Sequence, residues 1–358
     1  MRYNCRMKVA IDVSQVVYGT GVSVYVRELT KALLSVDQEN SYLIYGGSLR
    51  QQSSLRLFGQ SLQGNFTTRF FPIPPTLADY VWNKLHTLPL ERLLGRVDIV
   101  HTSDWSEPPV RKAKKVTTIH DVTPFRFPKE TPDTVIEVHE RKLAWVRKES
   151  AAIIVPSNVT KDDLVGLGFD KKKIHVVYEA VSDEFKKIKP LGLTEVNKRF
   201  GLNGKFLLAV GTAKRKNNDR LIAAAKGLAQ IDRLVIVGEG ASTDSVLFTG
   251  RITDQELVSL YTHAQALAYV SLYEGFGLPI LEAFAFGTPV VASNIGSMKE
   301  IAGDAAVLVD PTNIADIKKG IGTAITNRIS LVMKGRKREK EFSWEKAARE
   351  TIDIYKKL

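Results

Sequence analysis

The feature that most limits how this chain can fold is an alternation that occurs twice. Short apolar runs of strand length are separated by longer stretches with helical spacing. MKVAIDV (7–13), SYLIYG (41–46), FTTRFF (66–71), VDIVHTS (97–103), KVTTIHD (115–121), AAIIVPS (151–157) and IHVVYEA (174–180) read as strands. Helices are predicted at 22–34, near 78–95, at 133–149 and at 158–167. Residues 182–204, charged and interrupted by Pro190, break the pattern and read as a connection between domains. The alternation then restarts with KFLLAVG (205–211), RLVIVGE (233–239), SVLFTG (245–250), ALAYVS (266–271), PVVASN (289–294) and AAVLVD (305–310). Helices are predicted near 217–229, 253–263, 278–287 and 344–357. Apolar strands each followed by a helix belong in parallel sheets covered on both faces. Two such series predict an α/β fold of two Rossmann-like, doubly wound domains. They would span 1–188 and 189–342, facing across a cleft where strand carboxyl ends converge.

Composition narrows the function classes. Cys5 is the only cysteine, so neither a disulfide framework nor a cysteine zinc site is expected. The first residues lack an apolar signal core, and no run of 18 apolar residues occurs, so a cytoplasmic protein is expected. The net charge is 51 − 39 = +12, in small clusters at 111–115, 171–173, 186–189 and 334–340. Such an excess suits anionic partners: a nucleotide diphosphate or an anionic lipid surface. No nucleic-acid-binding motif accompanies it, so nucleic acid is not an expected partner. With the apolar residues Tyr80, Val81, Trp82, Leu85, Leu88 and Leu90, the charge predicts peripheral contact with the inner face of a membrane.

The segment richest in chemistry is 271–311, SLYEGFGLPILEAFAFGTPVVASNIGSMKEIAGDAAVLVDP. Glu274 and Glu282 flank a turn, Gly275-Phe276-Gly277-Leu278-Pro279, that leads into a helix. Proline suits a first helical turn, and amides exposed at a helix start favour anions. Carboxylates accept hydrogen bonds from sugar hydroxyls, while amides donate to phosphate. The combination points to a polyhydroxylated phosphate ester. A second cluster, GTAKRKNN (211–218), places Gly211, Lys214, Arg215 and Lys216 where a strand enters a helix, a position suited to a pyrophosphate. Gly19-Thr20-Gly21 opens the first helix without the G-x-G-x-x-G of a dinucleotide site, so Gly21 serves either a tight turn or a close ligand approach. His120 ends a predicted strand, where it can bond a substrate hydroxyl or simply pack. No Asp-x-Asp pair is present to carry a metal on a diphosphate.

These residues resemble the retaining glycosyltransferases of family 4, which have the GT-B architecture. EGFGLPILEA with GTPVVASNIGSMKEIAGDAAVLVDP is similar to that family's E-x7-E motif. DIVHTS, TTIHDVTPFRFP, IIVPSNVTKDDL, VGTAKRKN, FTGRITDQELVSLYTHA and FSWEKAA extend the likeness over nearly the whole chain. The resemblance implies a second domain that binds a nucleotide-sugar donor, and a first domain on the side of a carbohydrate or lipid-linked acceptor. The helix in 343–358 would cross back to the first domain. Glu282 would bond the ribose. Glu274, Gly275 and the amides of Phe276, Gly277 and Leu278 would hold the donor sugar and its phosphate. Arg215 and Lys216 would neutralise the diphosphate, with Gly211 beside them. His120 would contact the donor sugar, and Gly21 would lie near the diphosphate or the acceptor. The implied reaction is metal-independent, cofactor-free, retaining transfer of a hexose such as mannose or glucose. The alternatives are a silent nucleotide-sugar-binding scaffold and another GT-B enzyme, such as a nucleotide-sugar epimerase. Two departures stand out. Few residues separate RLVIVGEG from SVLFTG, where relatives carry a helix, and Thr212 follows Gly211 where many relatives have arginine.

Overall fold

The computed structural model describes residues 6–103 and 105–358. Cys5 lies outside them. The chain forms two units: residues up to Glu179 with Trp344–Leu358, and Ala180–Ser343.

The first unit is built on a seven-stranded sheet ordered β3-β2-β1-β4-β5-β6-β7. The strands are β1 Lys8–Asp12, β2 Ser41–Gly47, β3 Phe66–Phe71, β4 Ile99–Ser103, β5 Lys114–Thr118, β6 Ala152–Val155 and β7 Ile174–Val176. All neighbours run parallel. The inner strands are apolar because both faces are covered: Val9, Ala10, Val100, Val116 and Ile154 are fully buried. The chain leaves β1 toward β2 and returns to β4 on its other side. The carboxyl ends of β1 and β4 therefore flank a topological switch point, the preferred ligand position in such sheets. Helix Gly21–Val36 packs there through Tyr25, Val26, Leu29 and Leu33. Helix Trp344–Lys356 packs on the same unit: Trp344 meets Tyr25 edge-on at 5.7 Å, and Tyr355 Oη lies 2.6 Å from His101 Nδ1. Burial, with His120 nearby, holds the His101 pKa down at about 3, so this imidazole is neutral.

The second unit has a six-stranded sheet ordered β10-β9-β8-β11-β12-β13. Its strands are β8 Phe206–Val210, β9 Arg233–Val237, β10 Val246–Phe248, β11 Ala266–Tyr269, β12 Val290–Ser293 and β13 Val307–Val309. Here the switch point lies between β8 and β11. Leu207, Leu234, Ile236, Ala266 and Val291 form its core with Leu221, Ile317 and Ile321 from the flanking helices. Residues 238–245 carry no helix, as the short spacing in the sequence anticipates.

Several expectations require correction. Residues 182–204 are not a bare connection. They hold helices Asp183–Lys186 and Leu193–Phe200 and pack within the second unit. Phe185 meets Phe286 at 5.7 Å, Lys186 Nζ sits 3.3 Å from Glu339, and the Leu191 amide donates to Ser259 Oγ. The division expected at 188 accordingly falls at Glu179. The helix expected near 78–95 is broken into Pro75–Ala78, a wide π turn Asp79–Lys84 and Glu91–Leu94. Buried polar groups claim this stretch: Asn83 donates to the carbonyl of Trp105 and accepts from the amide of Glu107. Trp82 and Leu90 are core residues, not an outward apolar face, whereas Tyr80 and Leu85 are exposed. Helices Gln52–Ser61, Gly296–Ala302, Ile314–Thr326 and Arg328–Glu339 were not anticipated from the spacing.

A charged network lies beneath β4 and β5. Glu107 accepts from Thr102 and Thr117 hydroxyls at 2.9 and 3.0 Å. Lys115 Nζ lies 3.4 Å from Glu107 and 2.8 Å from Glu149, with the Lys115 and Glu107 side chains wholly buried. Removing one partner from such a pair leaves an uncompensated buried charge. Lys115→Met is therefore expected to lower the unfolding free energy by about 3 kcal/mol. Urea denaturation checks this, and a loss below about 1 kcal/mol, the size of an exposed pair, would contradict it.

Candidate functional site

In the second unit, the ends of β8 and β11 bring together most of the residues singled out in the sequence. The turn after β8 begins at Gly211, whose φ is +95°. A Cβ on Gly211 would lie 2.7 Å from Lys216 Cε, so the lysine stem crosses a backbone that only glycine leaves open. Lys216 Nζ then reaches Glu274 Oε1 at 2.7 Å and donates to Tyr269 Oη at 2.8 Å, 4.6 Å from that ring's centre. The Lys216 and Glu274 side chains are only 14% and 11% exposed. Burial lowers the Lys216 pKa from its ordinary value, against the opposing pull of Glu274. Arg215 is held by its carbonyl, which accepts from the Leu272 amide at 2.8 Å, and its Nε is buried without a hydrogen-bond partner. Asn217, at φ +64°, donates to the carbonyls of Val270 and Pro311 and so ties the turn to neighbouring strand ends.

The Gly275–Pro279 turn continues from β11. Gly277 has φ +111° and immediately precedes helix Leu278–Ala285, whose second residue is Pro279. The first amides of a helix have no intrahelical acceptor, so this end carries partial positive charge. Phe276 is buried and meets Phe342 edge-on at 6.2 Å. The carbonyl of Glu274 accepts from Ser297 Oγ at 2.7 Å, which anchors the turn to helix Gly296–Ala302. One turn into its helix, Glu282 accepts from Tyr261 Oη at 2.7 Å. Burial pushes the Glu282 pKa up to about 7, with the Tyr261 hydrogen bond opposing. Gly211, Arg215, Lys216, Glu274, Gly275, Phe276, Gly277, Leu278 and Glu282 thus belong to one unit and converge on its switch point.

Gly21 and His120 belong to the first unit. Gly21 is the first residue of its helix, and a Cβ there would meet nothing within 4 Å. The expected strand 115–121 stops at Thr118, so His120 lies in the connection just beyond it. Its Nε2 is 3.1 Å from Ser103 Oγ, at the end of β4, and its Nδ1 is 3.3 Å from Glu179 Oε1. Tyr25, one turn into the helix that Gly21 opens, packs edge-on against the ring at 4.5 Å.

Sequence reasoning missed Tyr261, Tyr269, Asn217, Ser297, Ser103 and Glu179. Ser103 carried a usable signal: it is a polar residue closing an apolar strand run. The others act through contacts between distant segments that spacing does not encode. Among the described residues, no group of three or more His, Cys, Asp or Glu is placed to hold a metal ion. No helix among them is long and apolar enough to cross a membrane.

Comparison with known proteins agrees with this geometry. Residues 19–185 match Glycosyltransferase Family 4, and residues 195–351 match Glycosyl transferases group 1. The chain is 29% identical over 274 residues to the O-antigen chain mannosyltransferase B of Escherichia coli, covering 70% of this chain and 72% of that one. It is 29% identical over 270 residues to the O-antigen chain mannosyltransferase RfbU of Salmonella typhimurium, covering 70% of each. It also aligns at 26% identity with the serotype-specific mannosyltransferase WbdA of Escherichia coli, spanning 68% of this chain but only 34% of that longer protein. Among solved structures, sucrose-phosphate synthase from Thermosynechococcus elongatus superposes with a TM-score of 0.73 at 18% identity over 99% of both chains. HepE from Anabaena, solved with UDP-glucose, gives 0.69 at 15% identity, over 99% of this chain and 100% of that one. The two sheets, the switch-point residues and these matches agree: the chain belongs to the GT-B glycosyltransferases of the family 4, group 1 type.

Proposed function

We propose that this glycosyltransferase moves mannose from a nucleotide-diphosphate donor onto a growing surface glycan, with retention of anomeric configuration and without a metal ion. The observation that carries the reading is the Lys216–Glu274 pair, 2.7 Å apart, set between an anion-favouring helix start and Arg215. Mannose is supported by the relatives' own activities. In the proposed reaction the bond from the anomeric carbon to the diphosphate oxygen breaks, and one to the acceptor oxygen forms on the same face. The acceptor proton passes to the departing phosphate. Negative charge accumulates on the leaving diphosphate, and Lys216 and Arg215 stabilise it in this reading. Glu274 keeps the Lys216 ammonium oriented despite its burial. Glu282 accepts from ribose hydroxyls, and His120, by the family resemblance, contacts the transferred sugar. The overall charge of +12 supports a further part of the proposal, peripheral contact with anionic lipid.

Incubation with a panel of nucleotide-diphosphate mannose and glucose donors, with an acceptor extract and EDTA, tests the reaction. The expected result is an α-linked product from an α-linked donor, at a rate that EDTA leaves unchanged. Inversion, or loss of turnover on chelation that added magnesium restores, would overturn the corresponding part.

The Glu282 pKa predicts a pH dependence. Its folded-state carboxyl titrates near 7, above its ordinary 4.5. The stabilisation from its protonation is complete below the ordinary value and is lost as pH rises through about 7. The ionised form is the one that accepts from ribose, so nucleotide affinity should rise between about pH 6 and 8. Glu282→Gln should flatten that rise and weaken binding by about 1–3 kcal/mol. Calorimetric titration at several pH values reads both effects, and an unchanged pH profile in the variant would remove Glu282 from the ribose role.

Glu179 lies beside His120 Nδ1, and the imidazole's second nitrogen faces Ser103. Glu179→Gln keeps the shape and removes the charge. It is expected to lower kcat about tenfold and leave donor KM within about twofold in steady-state kinetics, because the imidazole loses the carboxylate that orients it. A merely structural role would raise KM and lower kcat together.

A further inference from the structure

The connection between β9 and β10 is too short to give that strand pair its usual cover. Parallel neighbours are normally joined by a crossover of about a dozen residues or more, most often with a helix that shields one face of the sheet. β9 and β10 run parallel, yet only residues 238–245 join them, and these hold no helix. Helix Asn218–Ala225 packs on the face that carries Leu234, Ile236 and Val246. With no second helix beside it, one flank of that helix faces a groove of about 320 Å³. Ile222, Leu228, Ile231, Leu234 and Val246 wall the groove, and the first three of these are only partly buried. The edge of β10, by contrast, is closed. The amides of Val246 and Phe248 donate to Thr243 Oγ1 at 3.2 Å and to Ser242 Oγ at 3.0 Å. A further strand would find those donors taken, so the opening suits a helix.

The flank that faces the groove carries Asp219, Ile222, Ala223 and Lys226, at the i, i+3, i+4, i+7 spacing of a single helical face. Charges on the opposite wall are satisfied within the chain. Asp232 accepts from the Lys205 amide at 2.7 Å, and Arg233 donates to the carbonyls of Gly201 and Thr243, each at 3.1 Å. Asp219 and Lys226 are both exposed, and neither side chain has an ion pair or hydrogen bond among the described residues. Two helical turns separate them, about 10 Å along the axis, so they do not pair with each other. The stripe runs acid, apolar, small, base. Turned end for end, the same stripe is its own complement.

We propose that this groove is where two copies of the chain meet, with their Asn218–Ala225 helices antiparallel about a two-fold axis. Ile222 and Ala223 lie at the axis, and the exposed alanine allows the helices to approach closely. Asp219 of each copy pairs with Lys226 of the other, so the ion pair forms twice, as an isologous contact requires. Ile222 of each copy enters the groove of the other and covers the surface that the short connection leaves open. The proposal goes beyond the transferase reading and does not depend on it, because none of the residues proposed to hold the donor lines the groove.

A contact of this size supports a transient dimer, so the test is sedimentation velocity of the full chain across about 2–200 µM. The wild type is expected to pass from monomer to dimer over that range. Asp219→Lys and Lys226→Asp each set like charges together twice, and each should raise the dimer dissociation constant about tenfold. The double variant Asp219→Lys with Lys226→Asp restores opposite charges and should return to within about threefold of the wild type. Both side chains are exposed, so thermal midpoints should not change. A wild type that stays monomeric throughout, whether another partner or none fills the groove, overturns the proposal. So does a dimer that neither single reversal weakens, or one that both weaken and the double variant fails to restore.

Discussion

The second unit is organised around an ammonium held out of water. Lys216 extends from the end of β8 across Gly211 to Glu274 and Tyr269, which stand beyond and at the end of β11. Burying a cation is costly unless a carboxylate and hydrogen-bond acceptors meet it. The surrounding features supply what that requires. Glycine at 211 clears the route, and Asn217 clamps the turn to two strand ends. Ser297 fixes the backbone of Glu274 from a third element. The parallel order β9-β8-β11-β12 is what makes this possible, because it places the carboxyl ends of β8 and β11 side by side. In the proposed reaction, a preformed cation at that position would need little reorganisation as negative charge develops on a leaving diphosphate.

Much of this arrangement can be read from residue order. Thirteen apolar runs correspond to the thirteen strands of the described residues, because a parallel sheet covered on both faces demands hydrophobic segments. Strand ends are less visible. Runs such as 115–121 and 151–157 carry apolar or polar residues past the last ladder bond, so His120 and Ser157 lie beyond their strands. The broken helix near 78–95 fails for a different reason. Its apolar spacing is helical, but Asn83 and His86 bond elsewhere: Asn83 to Trp105 and Glu107, and His86 to Glu149 at 2.8 Å. Tertiary hydrogen bonds then override local propensity. Helix Arg328–Glu339, rich in Lys and Arg with Ile329 and Met333 exposed, shows too little apolar periodicity to be found by spacing.

The residues proposed to hold the donor were visible because they cluster in two short strings, each following a strand. Most of the side chains that support them were not. Tyr261 and Tyr269 look like ordinary core tyrosines, and each becomes informative only when the fold sets its hydroxyl against Glu282 or Lys216. In the first unit, His120 was visible at a strand end, but Ser103 and Glu179 come from segments 17 and 59 residues away.

The central claim is that the buried lysine recognises a diphosphate. The direct measurement is calorimetric titration of the wild type and Lys216→Met with a nucleoside, its monophosphate and its diphosphate, using the base that stabilises the protein. The account predicts a gain of about tenfold or more in wild-type affinity when the second phosphate is added, lost in Lys216→Met while nucleoside affinity is retained. An equal gain in the variant, or none in the wild type, would contradict it.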